Sequence, residues 1–334
     1  MARTGIMICG HGSRDPDAIR EFERLIEKLA PRLPDVDLAG GYLEFARPII
    51  REGLESLVEK GCSRILAIPG MLFAAGHVKN DLPWEINSFA SDHPEIEMIM
   101  GRELAITPLL LKAANERIHA AEAHAHHDVA REDTCLVVVG RGTNDSDANS
   151  NVAKVARMLG EGMGFGWTEV AFSGVAHPRV DECLTRAVKL GFRRYLVFPY
   201  FLFTGVLVKR IYEQTAEVAA QFPQIEFMKA HYLDDHPLVI DAFLERIRET
   251  DQGIGAMNCQ LCKYREQIIG YEKDKGSAQA GHHHHVRGIG TDEPHHHDSD
   301  HDHHGHDHHH PHEHAHEPHH SHQHGHFHRP SGRR

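Results

Sequence analysis

The sequence predicts an α/β protein with two tandem domains, each a small parallel four-stranded sheet with helices on both faces, followed by a disordered histidine-rich tail. Three observations support this prediction. Short apolar runs alternate with helical patterns along the chain. The first half returns, altered, about 130 residues later. The composition changes completely near residue 278. Alternating strands and helices are typical of parallel sheets covered by helices.

The repeat keeps a constant spacing. Residues 9–13, which read Cys-Gly-His-Gly-Ser, return as Val-Gly-Arg-Gly-Thr at 139–143, and Lys79 returns as Lys209. Both matches have an offset of 130, which slips by one residue near position 223. An offset that holds over so many positions indicates two copies of one fold.

The repeat divides the chain. We predict a first domain over residues 1–119, a linker over 120–134 and a second domain over 135–250. A Met-x-Cys-x-x-Cys segment follows at 251–277, and the tail occupies 278–334. With 40% hydrophobic residues in the whole chain, we expect each domain to bury a core of its own.

The elements of the two copies follow the same order. In the first copy, apolar runs predict strands, and helical spacing of apolar residues predicts the segments between them. Its strands are predicted at residues 5–9, 36–43, 64–68 and 96–100, and its helices at 19–29, 49–58, 80–90 and 108–118. In the second copy, strands are predicted at 135–139, 168–172, 194–198 and 225–229.

Composition excludes several classes of partner. A formal net charge of -12 argues against nucleic-acid binding, which needs a basic face. No apolar stretch approaches the roughly 20 residues that a membrane span needs, and the chain enters a strand too early for a signal peptide. Six cysteines without a disulfide-type pattern fit a reducing compartment. We therefore expect a cytoplasmic protein, and the sequence leaves a homodimer open.

Three potential metal ligands follow three consecutive strands of the first copy. His11 follows the first strand, Glu44 ends the second, and His77 lies in the loop after the third. The carboxyl ends of parallel strands meet at one edge of a sheet, where ligands bind. Each residue alone has an ordinary reading, as a helix cap, a surface charge or a loop histidine. Together they favour a site for a borderline divalent ion such as Co²⁺, Ni²⁺, Fe²⁺ or Zn²⁺.

The second copy lacks all three ligands. Arg141, Gly174 and Leu207 stand where the first copy has His11, Glu44 and His77. Since the three losses occur together, the sequence predicts one working metal site, in the first domain.

These residues also carry a resemblance to a known family. The Gly-His-Gly-Ser-Arg run at 10–14, the segment 69–77 and Asp81 resemble the sirohydrochlorin chelatases, which are class II tetrapyrrole chelatases. The two-copy length, the Met-Asn-Cys-Gln-Leu-Cys motif and the histidine-rich end resemble the long form of sirohydrochlorin cobaltochelatase. The resemblance implies two chelatase-type sheets facing one another across a cleft, and ATP-independent insertion of Co²⁺ into sirohydrochlorin in cobalamin biosynthesis.

The resemblance also implies roles for individual residues. It makes His11, Glu44 and His77 both metal ligands and catalytic residues, with Glu44 either the third ligand or an orienting carboxylate. One of the two histidines also accepts a proton from the macrocycle. The carboxylates of the macrocycle need cations. Basic residues in or beside the loops at the same edge are therefore expected to bind substrate: Arg14, Arg47, Lys79, Arg141 and Lys209.

Two alternatives to cobalt insertion remain at this point. His and Glu ligands do not discriminate sharply among divalent metals, so the enzyme could insert iron, for sirohaem, or nickel. In a different class, the chain could be a metal store or metallochaperone whose working part is the tail.

The end of the chain carries two further metal-binding candidates. Cys259 and Cys262 could hold zinc, an iron–sulfur cluster or a redox disulfide, and the resemblance favours the cluster. In the tail, 23 of the 33 histidines lie between His282 and His328. An expression tag would explain only residues 282–285, so we expect a native metal-buffering tail that is disordered.

Overall fold

A computed structural model of the chain describes residues 3–254, 263–265 and 269–278. These residues form two four-stranded sheets, and every strand pair is parallel. The predicted α/β class and the two small parallel sheets are therefore confirmed. The predicted Met-x-Cys-x-x-Cys motif and histidine-rich tail lie outside the described residues.

The first sheet has the order β2-β1-β3-β4. Its strands are β1 Thr4–Gly10, β2 Asp37–Tyr42, β3 Arg64–Pro69 and β4 Glu97–Met100. Its helices are α1 Pro16–Leu29, α2 Ile50–Glu59, α3 Leu82–Asp92 and α4 Pro108–Glu122. Helix α4 continues three residues past the predicted domain end at 119, so the linker starts after Glu122.

The second sheet repeats this topology in the order β6-β5-β7-β8. Its strands are β5 Thr134–Gly140, β6 Trp167–Phe172, β7 Arg194–Pro199 and β8 Glu226–Lys229. Its helices are α5 Ser146–Met163, α6 Val180–Ala187, α7 Val206–Gln221 and α8 Pro237–Asp251. Strands β5, β6 and β7 lie 130 residues after β1, β2 and β3, which is the offset found in the sequence. Strand β8 lies 129 residues after β4.

The two repeats share one apolar layer. Alternate side chains of each strand point to opposite faces. Ile6 and Ile8 of β1 belong to the same buried cluster as Leu136 and Val138 of β5, together with residues of α1, α4, α5 and α8. The prediction that each domain buries a core of its own is therefore incomplete. Each repeat has a separate outer cluster of buried apolar residues. The largest cluster contains residues of both repeats, because both sheets pack against the same set of helices.

The helix predicted at residues 80–90 begins earlier and in a different form. His77–Asp81 forms one turn of π-helix, in which the Leu82 N–H bonds to the carbonyl of His77, five residues back. Pro83 has no N–H to donate to the carbonyl four residues before it. The wider turn accommodates this missing bond, and π turns of this kind often mark functional sites.

Among the described residues, no helix combines the length and apolar character that a bilayer crossing requires. The four described cysteines, Cys9, Cys62, Cys135 and Cys183, are buried and free.

Candidate metal centre

The loops after β1 and β2 are joined by backbone hydrogen bonds, and this brings His11 and Glu44 together. The Leu43 N–H donates to the Gly10 carbonyl, and the Glu44 N–H donates to the His11 carbonyl at 3.1 Å. Gly12 has a φ of +94°, and a Cβ there would lie 1.7 Å from the Glu44 carbonyl oxygen. Glycine at position 12 is therefore needed for the close approach of the two loops.

His11 is arranged as a neutral ligand. Its Nδ1 lies 3.0 Å from the Gly12 carbonyl oxygen. A carbonyl can only accept, so we assign the proton to Nδ1, which leaves the Nε2 lone pair for a metal. Burial lowers the pKa of His11 to about 3, and the positive charge of Arg141 acts in the same direction. The imidazole is therefore uncharged at neutral pH, as coordination requires.

His77 is oriented by a buried carboxylate. Its Nδ1 lies 2.7 Å from Oδ2 of Asp81, whose side chain is 1% exposed. Asn80 donates to the other carboxylate oxygen of Asp81 at 2.7 Å. A carboxylate that accepts the Nδ1 proton fixes the orientation of the ring and directs Nε2 toward a metal. The π turn carries both the histidine and its orienting partner.

The three predicted ligands converge. The rings of His11 and His77 have centroids 4.6 Å apart, and Glu44 Oε1 lies 3.5 Å from His11 Nε2. One ligand atom from each residue lies within 4.8 Å of the other two, so the set could hold a metal ion. Burial raises the pKa of the Glu44 carboxyl, while the charges of His77 and Arg141 oppose this shift. Two imidazoles and one carboxylate leave coordination positions open.

A cavity of about 470 Å³ lies beside these ligands and is lined by both repeats. Its walls are largely apolar and aromatic. Phe73 of the first repeat stacks on Tyr200 of the second at 5.7 Å, and Phe22 meets Phe203 edge-on at 5.8 Å. Walls of this kind suit a flat, largely apolar molecule.

The sequence profile of the CbiX family matches the chain twice, over residues 5–121 and 135–250. The chain belongs to the CbiX family. The two matched segments coincide with the two repeats of the structure, so each repeat is one CbiX unit.

Several named proteins are similar to this chain over most of their own length. A sirohydrochlorin cobaltochelatase of Priestia megaterium is 36% identical over 265 residues, which are 79% of this chain and 85% of the relative. A sirohydrochlorin ferrochelatase of Bacillus subtilis is 29% identical over 248 residues, 74% of this chain and 92% of the relative. The structure of SirB from Bacillus subtilis with Fe³⁺ is 29% identical, with a TM-score of 0.66, and covers 75% of this chain and 98% of SirB. A cobalt complex of a sirohydrochlorin chelatase from the same species has a TM-score of 0.63.

Two of the five predicted substrate-binding cations line the cavity of this CbiX protein. The Arg14 guanidinium lies over the Phe45 ring, 4.7 Å from its centroid. Arg141 lies on the second repeat, and its Nη2 is 3.1 Å from Nε2 of His11. Arg47 lies outside the cavity lining and pairs with Glu52 at 2.5 Å.

Lys79 and Lys209 do not line the cavity, contrary to prediction. Lys79 is 1% exposed, and its ammonium group binds Asp145 at 2.9 Å and Asp147 at 3.0 Å, at the start of α5.

Lys209 makes the equivalent contacts with the first repeat, binding Asp15 at 2.6 Å and Asp17 at 3.1 Å, at the start of α1. The two lysines therefore form reciprocal ion pairs between the repeats. We call these the inter-repeat clamps, and their geometry is at odds with a substrate-binding role.

Sequence reasoning assigned no role to two other residues near the site. Asp81 was part of the family resemblance, and its four-residue spacing from His77 was a signal that the two side chains meet on a helical turn. Tyr200 lines the cavity and is 3% exposed, yet its hydroxyl has no hydrogen-bond partner among the described residues. An aromatic residue in an apolar loop carries no sequence signal of this kind.

Proposed function

We propose that this CbiX-family protein inserts Co²⁺ into sirohydrochlorin without nucleotide hydrolysis. The observation that carries the proposal is the convergence of His11, Glu44 and His77 at the edge of a cavity formed by both repeats. The similarity to a sirohydrochlorin cobaltochelatase over 79% of the chain supports cobalt as the metal and sirohydrochlorin as the substrate.

Metal insertion must remove two pyrrole protons from the macrocycle, and the site offers two acceptors. His11 is a poor acceptor because its pKa is held low. His77 is better placed, since the Asp81 carboxylate binds its Nδ1 and fixes the direction of Nε2. Glu44 is the second acceptor, because burial favours its protonated form. As Co²⁺ passes from these ligands to the ring nitrogens, one proton goes to His77 and one to Glu44.

Recognition of the macrocycle combines apolar and charged contacts. The aromatic walls pack against the ring, while Arg14 and Arg141 pair with its peripheral carboxylates. We assign no substrate contact to Lys79 or Lys209, which join the repeats, or to Arg47, which pairs with Glu52 away from the cavity.

Iron insertion is the second candidate. A donor set of two imidazoles and one carboxylate accepts Fe²⁺ and Ni²⁺ as well as Co²⁺. Sirohydrochlorin ferrochelatases are among the relatives, at 29% identity. The donor set alone therefore does not select the metal.

For the end of the chain we keep the predictions made from sequence. We propose that Cys259 and Cys262 supply two of the four thiolates of an iron–sulfur cluster, with two more ligands from a second subunit of a homodimer or from elsewhere. We propose that the histidine-rich tail stores divalent metal for insertion, and that the protein works in the cytoplasm.

The test is the absorbance of sirohydrochlorin during incubation with the full-length protein and Co²⁺, Fe²⁺ or Ni²⁺ in parallel reactions. A chelatase converts many equivalents of macrocycle, and the fastest reaction identifies the metal. A metal store would change the spectrum of at most a stoichiometric amount. If no metal gives repeated turnover, the proposed function is wrong.

A further inference from the structure

Equivalent positions of the two repeats meet at the metal site. Arg141 occupies in the second repeat the position of His11 in the first, 130 residues earlier. Across the cavity, Arg141 Nη2 lies 3.1 Å from His11 Nε2. The residue that replaced a ligand therefore contacts the ligand that remains.

This contact uses the atom that a metal would need. His11 Nδ1 donates its proton to the Gly12 carbonyl, so Nε2 carries the lone pair. A guanidinium has five N–H donors and no acceptor, and it stays charged at any physiological pH. Arg141 therefore donates a hydrogen bond to the lone pair of His11 Nε2. While this bond is present, the lone pair cannot coordinate Co²⁺.

Electrostatics reinforce this competition. Burial lowers the pKa of Arg141, and the negative charge of Glu44 opposes this shift, so the guanidinium offsets part of the negative charge of the ligand set. A divalent ion entering beside that guanidinium would meet a second positive charge in a partly buried site, where repulsion is stronger than in water. Arg141 and the metal thus exclude one another both sterically and electrostatically.

We propose that Arg141 closes the metal site of the free protein, and that a carboxylate of the macrocycle opens it by drawing the guanidinium away from His11. The proposal rests on the proposed function, because sirohydrochlorin supplies the carboxylate. A planar guanidinium binds a carboxylate through two parallel charge-assisted hydrogen bonds, which are stronger than one bond to a neutral imidazole. The macrocycle therefore binds before the metal, and its binding increases the affinity of the site for Co²⁺.

The test measures Co²⁺ binding without any macrocycle, by equilibrium dialysis of full-length protein against buffered free Co²⁺. Four proteins are compared: wild type, Arg141→Met, His77→Ala and the double variant. The histidine-rich tail binds Co²⁺ in all four proteins. The cobalt bound by His77→Ala is therefore subtracted from that bound by wild type, and the cobalt bound by the double variant from that bound by Arg141→Met, so that the contribution of the tail cancels. Loss of a hydrogen bond to a charged group corresponds to roughly 10- to 100-fold in affinity. We expect Arg141→Met to fill the site at a free Co²⁺ concentration lower by that factor.

A second measurement tests the opening step. Sirohydrochlorin is titrated into metal-free protein, and binding is followed by its absorbance. Arg141→Met should bind it several-fold more weakly than wild type. Arg14→Met is the matched control, because Arg14 lines the same cavity without a hydrogen bond to the ligand nitrogen of His11. It should weaken macrocycle binding, and it should change Co²⁺ affinity far less than Arg141→Met does, because only Arg141 bonds to the ligand nitrogen of His11.

Two results would overturn the proposal. One is equal Co²⁺ affinity in the wild-type and Arg141→Met pairs, which would mean that Arg141 does not close the site. The other is unchanged sirohydrochlorin affinity in Arg141→Met. The dialysis contains no macrocycle, so it reports on closure even if the wild type fails to metallate sirohydrochlorin and the proposed function fails.

Discussion

The two histidines of the metal site have different partners, and this difference separates their roles. His11 donates to a neutral backbone carbonyl and faces a cation, whereas His77 donates to a buried carboxylate. The first arrangement disfavours a positive imidazole, and the second fixes the orientation of the ring. Sequence reasoning found both residues but not this distinction, because the contact between His11 and Arg141 joins two repeats and becomes visible only in three dimensions.

Removing either histidine should abolish metal insertion and leave the fold intact. We expect His11→Ala and His77→Ala to slow the conversion of sirohydrochlorin by at least about 100-fold, since each removes a ligand and His77 also accepts a proton. Leu207→Ala, at the position equivalent to His77, is the control and should keep its metal chemistry. Full activity of either histidine variant would refute the site assignment.

The buried hydroxyl of Tyr200 leads to a prediction about stability. A buried polar group without a partner costs about 1–3 kcal/mol, so Tyr200→Phe should keep or raise the free energy of unfolding measured in urea. Tyr195→Phe is the matched control, because the Tyr195 hydroxyl donates to the Ala187 carbonyl at 2.7 Å. That variant should lose about 1 kcal/mol. A large destabilisation by Tyr200→Phe would show that its hydroxyl has a partner.

At the scale of elements, the positions of the strands were predictable from the sequence, but the side-chain contacts between the two repeats were not. The apolar runs at residues 5–9 and 64–68 became β1 and β3 because a strand buried on both faces needs a continuous apolar sequence. The π turn was not predictable, since a His–Asp spacing of four residues suits an α-helix equally well. Lys79 was assigned to substrate because its acceptors, Asp145 and Asp147, lie in the other repeat.

The inter-repeat clamps differ in burial, and their energetic contributions should differ too. Lys79→Met leaves Asp145 and Asp147 without their buried cation, so we expect a loss of about 3 kcal/mol in the free energy of unfolding. The Lys209 side chain is 49% exposed, so Lys209→Met should cost clearly less because solvent screens its ion pairs. Urea unfolding of both variants measures the difference. Equal losses would show that burial does not set the strength of the clamps.

The clamp at Lys209 also predicts a pH dependence. Its hydrogen bond to Asp15 lowers the pKa of that carboxyl below the ordinary value. A depressed carboxyl pKa contributes stability above the unfolded-state value, near 3.9, and this contribution is lost as the pH falls. The stability difference between wild type and Lys209→Met should therefore be constant near pH 7 and shrink below about pH 4. A difference that grows in acid would contradict this assignment.

At the scale of the whole molecule, the central apolar layer is the feature that the sequence could not predict. Periodicity shows which face of a helix is buried but not what covers it. Here the covering partner is the other repeat, so Leu110 of α4 and Phe243 of α8 belong to one core. The two repeats therefore form the cavity together, the first repeat supplying the ligands and the second supplying Arg141.

The tail should matter when metal is scarce and not when it is abundant. Its many imidazoles offer weak, exchanging sites that raise the local metal concentration, and protonation should empty them below about pH 6. Truncation after Lys275 should leave activity at saturating Co²⁺ nearly unchanged, slow insertion when Co²⁺ is buffered to a low level, and cut the cobalt bound per chain severalfold. If the truncated protein loses most activity at saturating Co²⁺, the tail belongs to the active site.

The reciprocal clamps bear on the ancestry of the cleft. Asp15 and Asp17 of the first repeat correspond to the carboxylates that Lys79 binds in the second repeat. The first repeat therefore contains both the lysine and the carboxylates of a clamp, and two separate copies of that repeat could pair through the same contacts. In such a homodimeric ancestor, any substitution would appear on both sides of the cleft at once. An arginine at position 11 would have destroyed both sites together. Only after duplication of the gene could an arginine arise opposite a retained histidine.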